Sequence, residues 1–91
     1  MKRAIVTVLG EDKVGIIAAV SARLAQFSIN ILDITQTIMA GEVFVMIALV
    51  DIDGATAPFH EIKEDLAALG TSMELSIKIQ LEEIFNAMHK V

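Results

Sequence analysis

Gly10-Glu11-Asp12-Lys13-Val14-Gly15-Ile16 joins a mostly apolar run to a segment with helical periodicity. Gly10 and Gly15 bracket a charged turn at the point where a predicted strand becomes a predicted helix. The first N–H groups of a helix have no acceptor within it, and they attract carboxylates and phosphates. The next predicted strand opens with the polar Asn30. A glycine-bracketed loop together with this asparagine predicts a site for a small anionic or zwitterionic ligand.

Hydrophobic periodicity on either side of this loop predicts strands at 3–9, 30–39, 43–51 and 72–81, and helices at 14–27 and 82–89. Another helix is predicted before the last strand. Pro58 suits its first turn, which places Thr56 or Ala57 at the N-cap, and Gly70 is the expected stop. Apolar residues at helical spacing form a core-facing stripe on each longer helix: Ile16, Val20, Leu24 and Phe27 on the first, and Phe59, Ile62, Leu66 and Leu69 on the second.

The order of these elements, βαββαβ with a tail, is that of the ferredoxin-like fold. It predicts an α+β sandwich in which a four-stranded antiparallel sheet carries two helices on one face, with a short C-terminal helix. The strands at 3–9 and 43–51 would lie in the centre, and their nearly continuous apolar runs fit burial on both faces. The strand at 72–81 alternates apolar and polar residues, as is typical of an edge strand with one solvated face.

The two longer helices can cover only one face of this sheet. Apolar residues of the central strands on the other face therefore need a cover, which the tail helix or a second subunit could provide. We expect a homodimer, since two-fold symmetric pairing is the commonest form of oligomer.

Length and composition restrict the class of protein further. The chain has 91 residues, of which 55% are hydrophobic, so we expect a single folded domain over 1–91. Its net charge of -5 and scattered cations argue against nucleic-acid binding. The lack of cysteine fits a reducing compartment, and no apolar stretch reaches the ~18 residues of a membrane span. We expect a cytoplasmic protein with no membrane partner, metal or cofactor.

The βαββαβ order, the loop at 10–16 and the pair Asn30-Ile31 together resemble the ACT domain family over residues 3–81. The chain is similar to stand-alone ACT proteins related to the regulator of the glycine cleavage system. The resemblance implies a non-enzymatic module that binds a small effector, with an amino acid as the expected class, often at a subunit interface. Because no catalytic domain accompanies it within these 91 residues, we expect the regulated protein to be a separate chain.

The same resemblance assigns an effector site to residues of the loop and of the next strand: Gly10, Asp12, Val14, Gly15, Ile16, Asn30 and Ile31. Backbone N–H groups near Gly15 could hold a carboxylate, and Asp12 could pair with a ligand ammonium. The Asn30 amide can both donate and accept hydrogen bonds. Many family members have proline where this chain has Val14, so we expect this loop to be less rigid. No catalytic or metal-binding residue is implied.

These residues also have purely structural interpretations. Gly10 and Gly15 can serve a tight turn alone. The Asn30 side chain can satisfy neighbouring backbone groups. For Glu11, a solvated position near the positive end of a helix is the better interpretation.

The main alternative function is a protein–protein interaction or dimerisation module without a ligand, which nothing in the sequence excludes. The sequence argues against an enzyme, because no nucleophile–base pair can be picked out. Acylphosphatases share this topology, but their anion loop needs an arginine in a glycine-rich turn, whereas Arg23 falls within a predicted helix. RNA recognition by stacked aromatic side chains is disfavoured by an acidic chain with only four Phe and no Tyr or Trp.

Overall fold

The chain folds into one sheet with two helices packed on a single face. A computed structural model describes residues 1–88. The elements in chain order are β1 (Arg3–Glu11), α1 (Ile16–Gln26), β2 (Asn30–Met39), β3 (Val43–Asp51), α2 (Phe59–Met73), β4 (Leu75–Leu81) and α3 (Glu82–Met88). The predicted last helix extends to His89, which lies outside the described residues. Within 1–88, no helix has the length and apolar character needed to cross a membrane.

The four strands form an antiparallel sheet in the order β2-β3-β1-β4. The prediction of a ferredoxin-like α+β fold is therefore confirmed, with β1 and β3 in the centre and β4 at one edge. Val6 of β1 lies opposite Ala48 of β3 and Ile79 of β4, which sets the register of the central strands. β2 forms the other edge, and its register with β3 shifts between Ile31 and Asp33.

The core lies between the two longer helices and alternate residues of the strands. The buried strand residues are Ala4, Val6 and Val8 of β1, Phe44, Met46, Ala48 and Val50 of β3, and Leu75, Ile77 and Ile79 of β4. The helices contribute Ile16, Val20 and Leu24 of α1, and Ile62 and Leu66 of α2. The predicted helical stripes are confirmed, with Phe27, Phe59 and Leu69 partly buried against this core.

The sequence predicts that Gly10 opens the turn after the first strand. In the structure this prediction is wrong, because β1 continues through Gly10 to Glu11. Gly10 pairs with Phe44 of β3 on one side and with Leu75 of β4 on the other. A Cβ at this position would lie 2.6 Å from Leu75 Cδ2 and 3.3 Å from the Glu74 carbonyl oxygen. The glycine therefore allows close packing within the sheet, and the loop begins after it.

α1 begins at Ile16 rather than at Val14, because the chain first changes direction at Gly15. Gly15 is the N-cap, with φ 90° and ψ 4° in the left-handed region that favours glycine. Val14 therefore lies in a turn before the helix. At its other end the helix stops at Gln26, and Phe27 is the C-cap rather than the last helical residue.

α2 differs from its prediction at both ends. Pro58 is itself the N-cap, in an extended conformation, so neither Thr56 nor Ala57 has that role. The helix passes through Gly70 to Met73, and the left-handed residue that ends it is Glu74, with φ 58°. The last strand starts at 75 instead of 72 for this reason.

Gly70 is buried where α2 meets the start of β4. A Cβ here would lie 2.6 Å from the Leu75 carbonyl oxygen and 3.1 Å from Ile77 Cγ1. Since contacts under 3.0 Å to backbone require the main chain to move, the glycine sets how closely helix and strand approach.

The face of the sheet opposite α1 and α2 is only partly covered. α3 contacts β1 and β4, and the Arg3 guanidinium donates from Nε and Nη2 to Glu82 Oε1, at 2.9 and 2.8 Å. Leu9, Val43 and Ile47 remain 48%, 37% and 44% exposed on this face. The tail helix therefore leaves an apolar area around β3 in contact with solvent.

We expect Gly70→Ala to lower the free energy of unfolding by roughly 2 kcal/mol. Alanine improves helix propensity by about 1 kcal/mol, but its methyl group overlaps the Leu75 backbone, and overpacking of this kind costs more than that gain. Urea denaturation measures the difference. Thr71→Ala, at the exposed neighbouring position in the same helix, is the control and should leave stability almost unchanged. A Gly70→Ala protein as stable as the wild type would contradict the close approach.

Candidate functional site

A cleft of about 350 Å³ opens where the loop after β1 meets the start of α1 and the helix-covered side of β2 and β3. It combines the backbone start of a helix, one acidic and one basic residue, an amide and several apolar side chains. Its lining residues are Asp12, Lys13, Gly15, Ile16, Ile17, Ala18, Gln36, Ile38 and Phe44.

The start of α1 presents backbone N–H groups to this cleft. The first bond of the helix runs from the Ala19 N–H to the Gly15 carbonyl oxygen, at 2.9 Å. The N–H groups of Ile16, Ile17 and Ala18 precede it, so they have no intrahelical acceptor. Gly15 offers no side-chain cap, and the first turn contains no acidic residue. The positive end of the helix dipole is therefore open to an anionic group at the cleft.

Two hydrogen bonds hold the loop that carries the charged residues. The Asp12 N–H donates to the Glu42 carbonyl oxygen in the β2–β3 turn, at 2.8 Å. The Lys13 ammonium donates to the carbonyl oxygen of Met73, the last residue of α2. A cation at a helix C-terminus is favourable for the same reason as an anion at its N-terminus. Lys13 thus lines the cleft while its ammonium is engaged at α2.

The Asp12 carboxylate is the acidic group at the cleft. Asp12 is exposed, and within residues 1–88 no hydrogen bond or ion pair engages its side chain. It lies on the same loop as the uncapped helix start, three residues before Gly15 along the chain. The site therefore places an unengaged negative side chain close to unsatisfied N–H donors.

Apolar side chains form the remaining wall. Ile17 of α1 and Ile38 of β2 are 36% and 50% exposed, while Phe44 of β3 is 4% exposed. Ile38 and Phe44 lie directly opposite each other in the sheet, on the side that the helices cover. Gln36, two residues before Ile38 on the same strand, adds the one side-chain amide of the lining.

The structure brings some of the predicted site residues together and separates others. Asp12, Gly15 and Ile16 line the cleft, whereas the Val14 side chain is fully exposed to solvent. Gly10 lies in β1, just before the loop.

Asn30 and Ile31 lie far from this cleft within one chain. They begin β2, whereas the cleft is bordered by Ile38 near the end of that strand. At about 3.3 Å per residue, the separation along the strand is roughly 25 Å. Their role as ligand-binding residues stays a prediction, and within this chain alone they cannot contact a ligand held by Asp12.

Several lining residues are absent from the sequence-based prediction: Lys13, Ile17, Ala18, Gln36, Ile38 and Phe44. Two of them, Gln36 and Ile38 of β2, could be found from strand pairing, because they lie opposite the buried residues Met46 and Phe44 of β3. A prediction of these two residues needs the pairing register of β2 with β3. That register shifts between Ile31 and Asp33, so it cannot be extended along β2 from Asn30 by simple alternation.

A larger cleft, of about 530 Å³, lies at the opposite end of β1 and is lined by charged residues. Its charges are largely paired with one another: Arg3 with Glu82 at 2.8 Å, and the Met1 ammonium with Asp53 at 3.9 Å. Charges that neutralise each other offer little to an incoming ion. Within the described part of the chain, no group of His, Asp and Glu side chains has an arrangement that could hold a metal ion.

The sequence-family model of the ACT domain matches residues 2–80 of this chain. The chain belongs to the ACT domain family. A UPF0237 protein from Listeria monocytogenes is 52% identical over 89 residues, which cover 98% of this chain and 99% of the relative. The solved structure of an ACT domain protein from Streptococcus pneumoniae is 40% identical, with a TM-score of 0.81 over 97% of this chain and 98% of that one.

The ACT fold is also shared with a more distant structure. A protein described as a candidate glycine cleavage system transcriptional repressor is 23% identical, with a TM-score of 0.72 over 88% of this chain and 45% of its own. At this identity the likeness concerns the fold alone. ACT domains as a family are regulatory and often bind amino acids.

We expect Gly15→Ala to destabilise this ACT domain by about 1 kcal/mol, because alanine is strained at a positive φ. No atom lies within 4 Å of the added methyl group, so backbone strain is the sole cost. Urea denaturation gives the free energy. Gly54→Ala is the matched control, because its Cβ would make only an ordinary contact, 3.6 Å from the Ser28 carbonyl oxygen. Equal stability of the two variants would argue against the left-handed N-cap.

Proposed function

We propose that this ACT domain is a non-enzymatic regulatory module that binds an amino acid in the cleft at the start of α1. The observation that carries the proposal is the unengaged Asp12 carboxylate beside the uncapped helix start. An amino acid carries a carboxylate and an ammonium on neighbouring atoms. The site offers N–H donors for the first and a carboxylate for the second, so both charges of the head group find a complement.

The action of such a module is exerted through a partner protein. The cleft contains no nucleophile with an adjacent general base, so binding rather than chemistry is what its residues support. We propose that the protein acts in the cytoplasm and that the protein it regulates is a separate chain.

A thermal-shift screen of amino acids, followed by isothermal titration calorimetry, tests this function. We expect at least one amino acid to stabilise the protein, and Asp12→Asn to weaken its binding about tenfold, as loss of one charge-assisted hydrogen bond predicts. Glu11→Gln is the matched control: it removes an adjacent exposed acid outside the cleft and should leave affinity unchanged.

Two outcomes would count against the proposal. If no amino acid shifts the melting temperature, the exposed apolar face with Leu9, Val43 and Ile47 favours the interaction module without a ligand. If Glu11→Gln and Asp12→Asn weaken binding equally, a general loss of negative charge is responsible, and the ligand does not contact Asp12.

We also propose that the functional form is a homodimer joined along β2. This strand is an edge, and its side chains from Leu32 to Met39 are exposed on both faces. Asp33 is its one charged residue, whereas natural proteins protect free edges with charges and proline. Two β2 strands paired antiparallel would place Asn30 of the partner subunit near the end of β2 that borders the cleft. In that arrangement the predicted loop and strand residues come together across the interface.

Size-exclusion chromatography with light scattering measures the assembly. We expect the wild type to have twice its chain mass of 9.8 kDa, and Ile34→Lys to be a monomer, because a lysine on this edge opposes strand pairing. Ser76→Lys places the same charge on the exposed face of β4 at the other edge and should leave the dimer intact. A monomeric wild type at micromolar concentration, or a dimer lost equally in both variants, would overturn this arrangement.

A further inference from the structure

We propose that the effector is an amino acid with an aliphatic side chain, of about the size of valine or leucine, packed against Ile17, Ile38 and Phe44. The inference rests on the proposed function, because it names the class of amino acid that the same cleft selects. It follows from the chemistry of the wall that surrounds the head-group position.

The apolar wall comes from three different elements, so a ligand side chain in the open cleft would have apolar contacts on more than one side. Ile17 belongs to α1, Ile38 to β2 and Phe44 to β3. Within a single chain, Ile17 and Ile38 are 36% and 50% exposed. An aliphatic ligand side chain would remove part of this surface from water, and each buried methylene group improves affinity by about fourfold.

The charged residues of the lining do not serve a charged ligand side chain. Asp12 is used by the α-ammonium, and the cleft offers no second carboxylate for a lysine or arginine ligand. The Lys13 ammonium already donates to the Met73 carbonyl oxygen, so an acidic side chain would have to break that bond. A charge placed against the isoleucines would lose hydration without a partner.

Small and hydroxylated amino acids use this wall poorly. Glycine would leave Ile17 and Ile38 exposed. Serine would place its hydroxyl against Ile17 and Ile38, and among the lining residues of a single chain Gln36 alone carries a side-chain amide. A cleft of about 350 Å³ is at the lower end of the ~300–1,000 Å³ typical of ligand pockets, which matches a single amino acid of moderate size.

Isothermal titration calorimetry with glycine, alanine, serine, valine, leucine, aspartate and lysine tests the inference on the full chain. We expect valine or leucine to bind about tenfold or more tightly than glycine, as burial of several carbon atoms predicts. Aspartate and lysine should bind more weakly than either.

Variants of the wall locate the selectivity. Ile38→Thr, an exchange of β-branched residues on an exposed strand, should weaken leucine binding about tenfold while changing glycine binding less than about twofold. Ile47→Thr is the matched control, because Ile47 is 44% exposed on the opposite face of the sheet, outside the cleft. Ile17→Thr tests the same wall from α1, outside the proposed β2 interface. Thermal unfolding and light scattering show whether each variant is folded and dimeric.

The outcomes separate this inference from the function on which it rests. If glycine, serine or a charged amino acid binds as tightly as leucine and Asp12→Asn still weakens that binding, the aliphatic class is wrong and the proposed function stands. If no amino acid binds, both are overturned. Selective loss of leucine binding in the Ile38 and Ile17 variants, with the Ile47 variant unchanged, supports the inference.

Discussion

Close packing around Leu75 joins the sheet to the second helix at the cleft end of the molecule. Gly10 of β1 and Gly70 of α2 both approach this residue so closely that an added Cβ would lie 2.6 Å from one of its atoms. The first residue of β4 is thereby held against the central strand and the second helix at once. Lys13 then joins the loop after β1 to the end of α2 at Met73. The position of the loop that borders the cleft therefore depends on the packing of both layers.

The layers of the fold are predictable from sequence because the spacing of apolar residues within each helix or strand shows which of its sides is buried. Helical spacing identifies the buried residues of α1 and α2, and alternation identifies those of β4. The roles of Gly10 and Gly70 are not predictable in this way. From local sequence, Gly10 is expected at a turn and Gly70 at a helix end. In the structure, both glycines instead approach Leu75 closely. That contact exists only once residues distant in sequence have come together.

The candidate site shows the same division between local and distant information. Gly15 and Asp12 are predictable because a glycine before a helix and an acid beside it act within a few residues of each other. The apolar wall at Ile38 requires the register between β2 and β3, which no short motif encodes. Asn30 and the loop at 10–16 together suggest the family, but within one chain Asn30 lies at the end of β2 far from the cleft. Residues that together identify a family therefore need not lie close together within a single subunit.

The head-group site and the apolar wall of the proposed site differ in how amino-acid substitutions would affect them. In the proposed complex, backbone N–H groups at the start of α1 would bind the carboxylate that all amino acids share, and their orientation depends on the left-handed N-cap at Gly15 rather than on a side chain. Ile17 and Ile38 would contact the side chain by which amino acids differ, and both are exposed residues outside the buried core. Substitution at the wall can therefore alter which effector binds while the head-group site and the fold are retained. A small ACT domain of this design can be adapted to different effectors without a new binding site.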